Sequence, residues 1–67
     1  MELIDTPNPN AKKIETDIQN EEIVNNLNNI EGVSSVFIGP GFVTITKTES
    51  VGWELITQEI INIFDKL

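Results

Sequence analysis

Apolar positions change their period along this chain, and the changes mark out its elements. Residues 21–31 carry Ile23, Val24, Leu27 and Ile30 on one face at helical spacing. Asn20 suits the N-cap, Glu21 and Glu22 complement the positive end of the helix dipole, and Gly32 suits the position after the last turn. Thr16 with Gln19 offers a competing capping box one turn earlier. Asn25, Asn26, Asn28 and Asn29 on the outward side are poor helix formers, so packing and not propensity must hold this segment. Residues 53–67 repeat the helical stripe with Trp53, Ile56, Ile60, Ile63, Phe64 and Leu67, and Ser50 is the expected N-cap.

Elsewhere the period shortens to two. Residues 33–38 and 42–47 flank Gly39-Pro40-Gly41 and predict a β-hairpin, with Pro40 and Gly41 in the central positions of a type II turn. Pairing around that turn sets Ile38 opposite Val43 and Val36 opposite Ile45 on the core face. Phe37, Thr44, Ser35 and Thr46 then point the other way. Type II is not the favoured two-residue hairpin turn, so a bulge is the alternative that would change this register. Residues 1–5 form a short apolar run. It stops at Thr6-Pro7-Asn8-Pro9-Asn10, where two prolines force a stiff exposed loop. Residues 11–15 predict a second, weaker strand with Ile14 inward. The order is β-β-α-β-β-α. It predicts an α+β two-layer sandwich, an antiparallel-rich sheet with two helices on one face.

Composition narrows what such a fold can do. A 67-residue chain buries only about 60% of its unfolded surface, so it must commit nearly all its apolar residues to one core. Its 39% hydrophobic content is enough for that and too rich for a disordered chain. Residues 1–67 therefore read as a single domain, without repeat or linker. Cysteine, histidine and tyrosine are absent, which removes thiolate ligands, cysteine nucleophiles and the commonest general base. Eleven Asp and Glu face four lysines and no arginine, giving a net charge of −7. Nucleic acid and anionic membranes would be repelled, and a basic or mixed-charge protein is the natural complement. The start is acidic where a signal peptide needs positive charge, and no apolar run approaches a membrane span. The expectation is a cytoplasmic protein without a membrane partner.

Asp5-Thr6-Pro7-Asn8-Pro9-Asn10-Ala11, then Ile30-Glu31-Gly32-Val33, Val36-Phe37-Ile38-Gly39-Pro40, Phe42-Val43-Thr44-Ile45-Thr46-Lys47 and Trp53-Glu54 follow one another in a specific order and spacing. This arrangement resembles the N-terminal domain of Nfu-type iron–sulfur cluster scaffold proteins over nearly the whole chain. The resemblance implies the same small α+β fold. In that family a second domain with a CxxC motif carries the cluster, and this chain has no cysteine with which to ligate one. Three departures stand out: the short segment at residues 15–20, Lys12 where the family tends to place an apolar residue, which suggests a looser edge, and Gly41 in place of an acidic residue. What the resemblance implies here is the fold and a docking surface, not the cluster chemistry.

Two features are candidates for that surface. Pro7, Asn8, Pro9 and Asn10 present two carboxamides on a backbone with little entropy left to lose, which lowers the cost of binding a peptide or partner loop. The competing reading is a rigid connector whose asparagines cap local turns. Phe37 faces away from the helices, and Phe42 at the hairpin tip would extend it into an exposed aromatic patch. Trp53, on the helical stripe, is expected in the core. No pair of carboxylates is singled out for acid–base work, no calcium-loop pattern occurs, and Gly39-Pro40-Gly41 leads into a strand and not into a phosphate-binding helix. The expectation is a non-catalytic protein-interaction module without metal or cofactor, monomeric. It would be an accessory or adaptor in iron–sulfur cluster assembly or delivery, with scaffold, carrier or client proteins as partners. The alternative is a peptide- or protein-binding domain that reuses the fold with no iron–sulfur role.

Overall fold

In the computed structural model, which describes residues 2–17 and 20–66, the chain runs β1 (Ile4–Asp5), β2 (Ala11–Glu15), α1 (Glu21–Asn28), β3 (Val33–Gly39), β4 (Phe42–Lys47) and α2 (Trp53–Asp65). The four strands form one sheet in the order β1-β2-β4-β3, every pair antiparallel. This is the expected β-β-α-β-β-α sandwich. The first strand is shorter than the apolar run of residues 1–5 suggests, and Met1 lies outside the described residues.

The hairpin register follows from its turn. Gly41 has φ +80, the value that the third position of a type II turn demands and that side-chain-bearing residues resist. Ile38 pairs with Val43 and Val36 with Ile45, as the alternation predicts. A bulge does occur, but between Val33 and Ser35 at the far end of the hairpin, where it leaves the pairing near the turn intact.

The helices cover one face of the sheet. Ile23, Leu27 and Ile30 from the first helical segment and Ile56, Ile60 and Phe64 from α2 close over Ile14, Val43 and Ile45. Burying a side chain of this kind stabilises the fold by about 1.5–3 kcal/mol each. Leu3, Val36, Ile38, Val51 and Ile63 ring that core, partly buried.

The start of α1 is as expected, while its end and the cap of α2 depart from expectation for local reasons. Asn20 is the N-cap of α1, its Oδ1 accepting from the Glu22 N–H at 2.8 Å. Gln19, partner in the competing capping box, lies outside the described residues, as does Leu67. The helix stops at Asn28 and not at residue 31. The Asn29 N–H is shared between the carbonyls of Asn25 and Asn26, and the Ile30 N–H reaches back only to Leu27. This is a tightening of the last turn that ends an α-helix. Gly32 instead turns the chain into β3 with φ +103, its backbone against Val51 where a Cβ would come within 3.0 Å of the valine methyls. Ser50 is not the cap of α2. Its hydroxyl lies 3.2 Å from that of Thr48, the Val51 N–H donates to the Thr48 carbonyl, and Gly52 takes the cap position without a side-chain bond. The Glu54 carboxylate folds over Gly52 into the space a Cβ would fill, placing negative charge at the positive end of the helix.

Candidate functional site

The proline loop is locked by its own side chains. Asn8 Oδ1 accepts from the Asn10 N–H at 2.9 Å, and the Ala11 N–H donates to the Asn8 carbonyl at 3.0 Å. These bonds form an Asx-type turn. The Thr6 hydroxyl lies 2.8 Å from the Ala11 carbonyl oxygen and accepts from the Asn8 N–H at 3.2 Å. Turn capping thus uses the Asn8 carboxamide oxygen, as the connector reading expects. Its NH₂ group has no acceptor among the described residues and faces solvent.

Long-range contacts then fix the loop to the rest of the molecule. The Trp53 Nε1–H donates to the Pro9 carbonyl at 3.0 Å, across a separation of 44 residues. Lys47 Nζ donates to Asn10 Oδ1 at 3.0 Å, and the Lys47 N–H donates to the Asn10 carbonyl at 2.8 Å. Trp53 is therefore not a core residue as its stripe position suggests. It is partly buried at the rim, with one flank on the core and its indole N–H spent on the loop.

Around that indole the chain gathers positive charge. Lys12 Nζ lies 5.4 Å and Lys47 Nζ 5.9 Å from the ring centroid, both within cation–π range. Lys47 is only 9% exposed, and the oxygens of Asn10 and Thr48 receive its ammonium in place of a carboxylate. Lys12 pairs opposite Ile45, on the helix-covered face, and its ammonium sits 3.3 Å from Asp5 on the neighbouring strand. Lys12 thus has two partners, an aromatic face and a carboxylate, and ties β2 to β1 in place of the looser edge expected there. An open cavity of about 410 Å³ lies between Thr6, Pro7, Asn8, Pro9, Lys12 and Trp53.

Phe37 and Phe42 form a separate cluster. Their centroids are 6.2 Å apart with planes tilted by 44°, on the sheet face away from the helices. Phe37 is 63% exposed. The far end of the Phe42 ring lies over Gly39, so that a methyl there would overlap it. The structure brings Pro7, Asn8, Pro9 and Asn10 together with Trp53, Lys12 and Lys47, and it brings Phe37 to Phe42, but the two sets belong to different surfaces. Sequence reasoning missed Trp53, Lys12 and Lys47 as neighbours of the loop. One available signal was that a tryptophan at a helix start needs an acceptor for its N–H. Leu55, 68% exposed beside a groove of about 670 Å³ between the helices, was also missed.

The donor chemistry for a metal is poor. The chain has neither cysteine nor histidine, and among the described residues no three carboxylates gather closely enough to hold an ion. Among the described residues no helix is long and apolar enough to cross a membrane.

Comparison with known proteins places the chain. The family model for the scaffold protein Nfu/NifU N-terminal region matches residues 12–67, a segment that begins just after the proline loop. The human mitochondrial NFU1 iron–sulfur cluster scaffold homologue is 37% identical over 73 aligned positions, which cover 84% of this chain. This chain spans 29% of that protein's length. A crystal structure of a Staphylococcus aureus protein superimposes with a TM-score of 0.83 at 22% identity, covering 96% of this chain and 95% of that one. A solution structure from Staphylococcus epidermidis gives 0.68 at 27% identity, covering 98% and 94%. The two structures agree with the architecture described above, and the match over residues 12–67 together with the human relative shows that this chain belongs to the Nfu/NifU N-terminal domain family.

Proposed function

We propose that this chain is a non-catalytic docking module of iron–sulfur cluster assembly or delivery, holding a scaffold, carrier or client protein while another chain or domain carries the cluster. The family supports the link to scaffold proteins. The residues themselves support the division of labour. Cluster ligation calls for thiolates, and a chain with no cysteine and no histidine offers only carboxylates, hydroxyls, amides and four lysines. The cluster is then cargo handled by the partner.

The observation that carries the docking role is the clamped loop. Pro7, Asn8, Pro9 and Asn10 are held by Trp53 and Lys47, so a partner would meet a surface already ordered. Phe37 and Phe42 offer a second, apolar contact. The module acts as a monomer in this reading.

Titration of the ¹⁵N-labelled chain with purified iron–sulfur scaffold, carrier and apo-client proteins tests the proposal. Shifts are expected at Asn8, Asn10 and Trp53 or at Phe37 and Phe42, and Asn8→Ala or Phe37→Ala should weaken binding by roughly tenfold, or about 1.4 kcal/mol. Binding by none of these proteins would sink the iron–sulfur role. Shifts at the same residues with unrelated peptides alone would establish a binding domain that reuses the fold for other partners.

A further inference from the structure

The two edges of the sheet are built differently. One edge is β1, only two residues long, tied by the Lys12–Asp5 pair and followed by a loop with two prolines. Short strands, charge and proline are the usual means of keeping an edge from pairing with another chain. The other edge is β3, and among the described residues no strand lies beyond it. At seven residues it is the longest strand of the sheet, with neither charge nor proline. The charge-free stretch extends over everything between Glu31 and Lys47, in a chain that is 22% charged. Alternate residues of an antiparallel edge strand turn their N–H and C=O groups outward. The bulge between Val33 and Ser35 disturbs only one end of β3. Phe37 stands at the middle of this edge, 63% exposed.

We propose that the β3 edge accepts an extended segment of a partner protein as a fifth strand, a segment with alternating apolar residues and basic residues at its flanks. Backbone pairing would supply the affinity, and the side chains on the face away from the helices would meet Phe37 and Phe42. Charge selects the partner. A second copy of this chain brings another net −7 against the first, whereas basic flanks are drawn to it and an uncharged centre meets no penalty on the uncharged strand. The inference deepens the docking proposal and rests on Phe37 being a contact residue, but it holds whatever the partner's place in cluster chemistry.

Amide hydrogen exchange of the ¹⁵N-labelled chain tests it. The probes are a set of blocked peptides of the pattern Lys-Val-Thr-Val-Thr-Val-Lys, varied at the valines, each paired with a version carrying proline at the centre. At peptide concentrations up to about 1 mM, outward amides of β3 should exchange at least roughly tenfold more slowly, while the proline versions have no effect. Phe37→Lys and, independently, Ser35→Lys at an exposed position on the same face should abolish the protection while the free chain stays folded. Absence of protection with every peptide, or equal protection by the proline versions, overturns the proposal. Protection of β3 that grows with the concentration of the chain alone would make the occupant a second copy and overturn the choice of partner. Loss of an iron–sulfur partner in Phe37→Ala, combined with no strand addition by peptides, would leave the docking face standing and remove this mode of using it.

Discussion

Trp53 illustrates how one side chain couples distant parts of a small molecule. Its indole rests on the core rim, donates to Pro9, and lies beside the ammonium groups of Lys12 and Lys47. Trp53→Phe keeps an aromatic ring but loses the N–H. The expected result is a loss of about 1 kcal/mol in urea unfolding, with faster amide exchange at Asn10 and Ala11 than in the parent. A global loss without loosening of the loop would show that the bond to Pro9 does not hold it. Gly41 makes a different demand, because a Cβ there meets nothing within 4 Å and the penalty is conformational alone. Gly41→Ala should cost about 1 kcal/mol and lower Tm by roughly 4–8 °C in a calorimetric scan. The role of Gly41 is legible in the sequence because Pro-Gly between two alternating runs specifies the turn by itself. That of Trp53 is not, since its acceptor lies 44 residues away and its position on the stripe satisfies core logic equally well.

Elements differ in how far local chemistry defines them. The β3–β4 register follows from the turn and the alternation, both contained in adjacent residues. The limits of α1 depend on a contest between weak helix formers and the tightening of the last turn, and the start of α2 on a serine engaged with Thr48. Neither is decided by a single strong signal: α1 ends three residues before the sequence reading, and the cap of α2 moves from Ser50 to Gly52 although its first residue, Trp53, is the expected one. Because the asparagine-rich α1 has little propensity of its own, its stability rests on contacts made through α2 and the sheet. Ile60, fully buried at the centre of those contacts, is the position that should matter most. Ile60→Ala is expected to cost about 2–5 kcal/mol, against a total of roughly 3–10 kcal/mol for a domain of this size. Circular dichroism should then show both helices lost together in one transition. Survival of the α1 signal after loss of α2 would contradict the dependence.

At the scale of the whole molecule, charge and apolar surface are segregated. The acidic residues lie outside the stretch between Glu31 and Lys47, and the uncovered sheet face carries the Phe37–Phe42 pair. Net charge of −7 on so small a body disfavours the compact state through self-repulsion, so added salt should stabilise it. Tm is expected to rise between low and high sodium chloride, and a fall would show that the Lys12–Asp5 pair and the cation–π contacts outweigh the repulsion. The fold was legible at this scale because two periods and two turns define the layers. The candidate site was legible only in part. Its loop is a local pattern, while the lysines and indole that clamp it converge from β2, β4 and α2. That convergence has an optical consequence. With one tryptophan and no tyrosine, near-ultraviolet emission arises essentially from Trp53. A partner seated on the proline loop should change the colour or intensity of that emission, whereas one bound along β3 should leave it dark to the event, so a single fluorimeter trace can tell which surface is engaged.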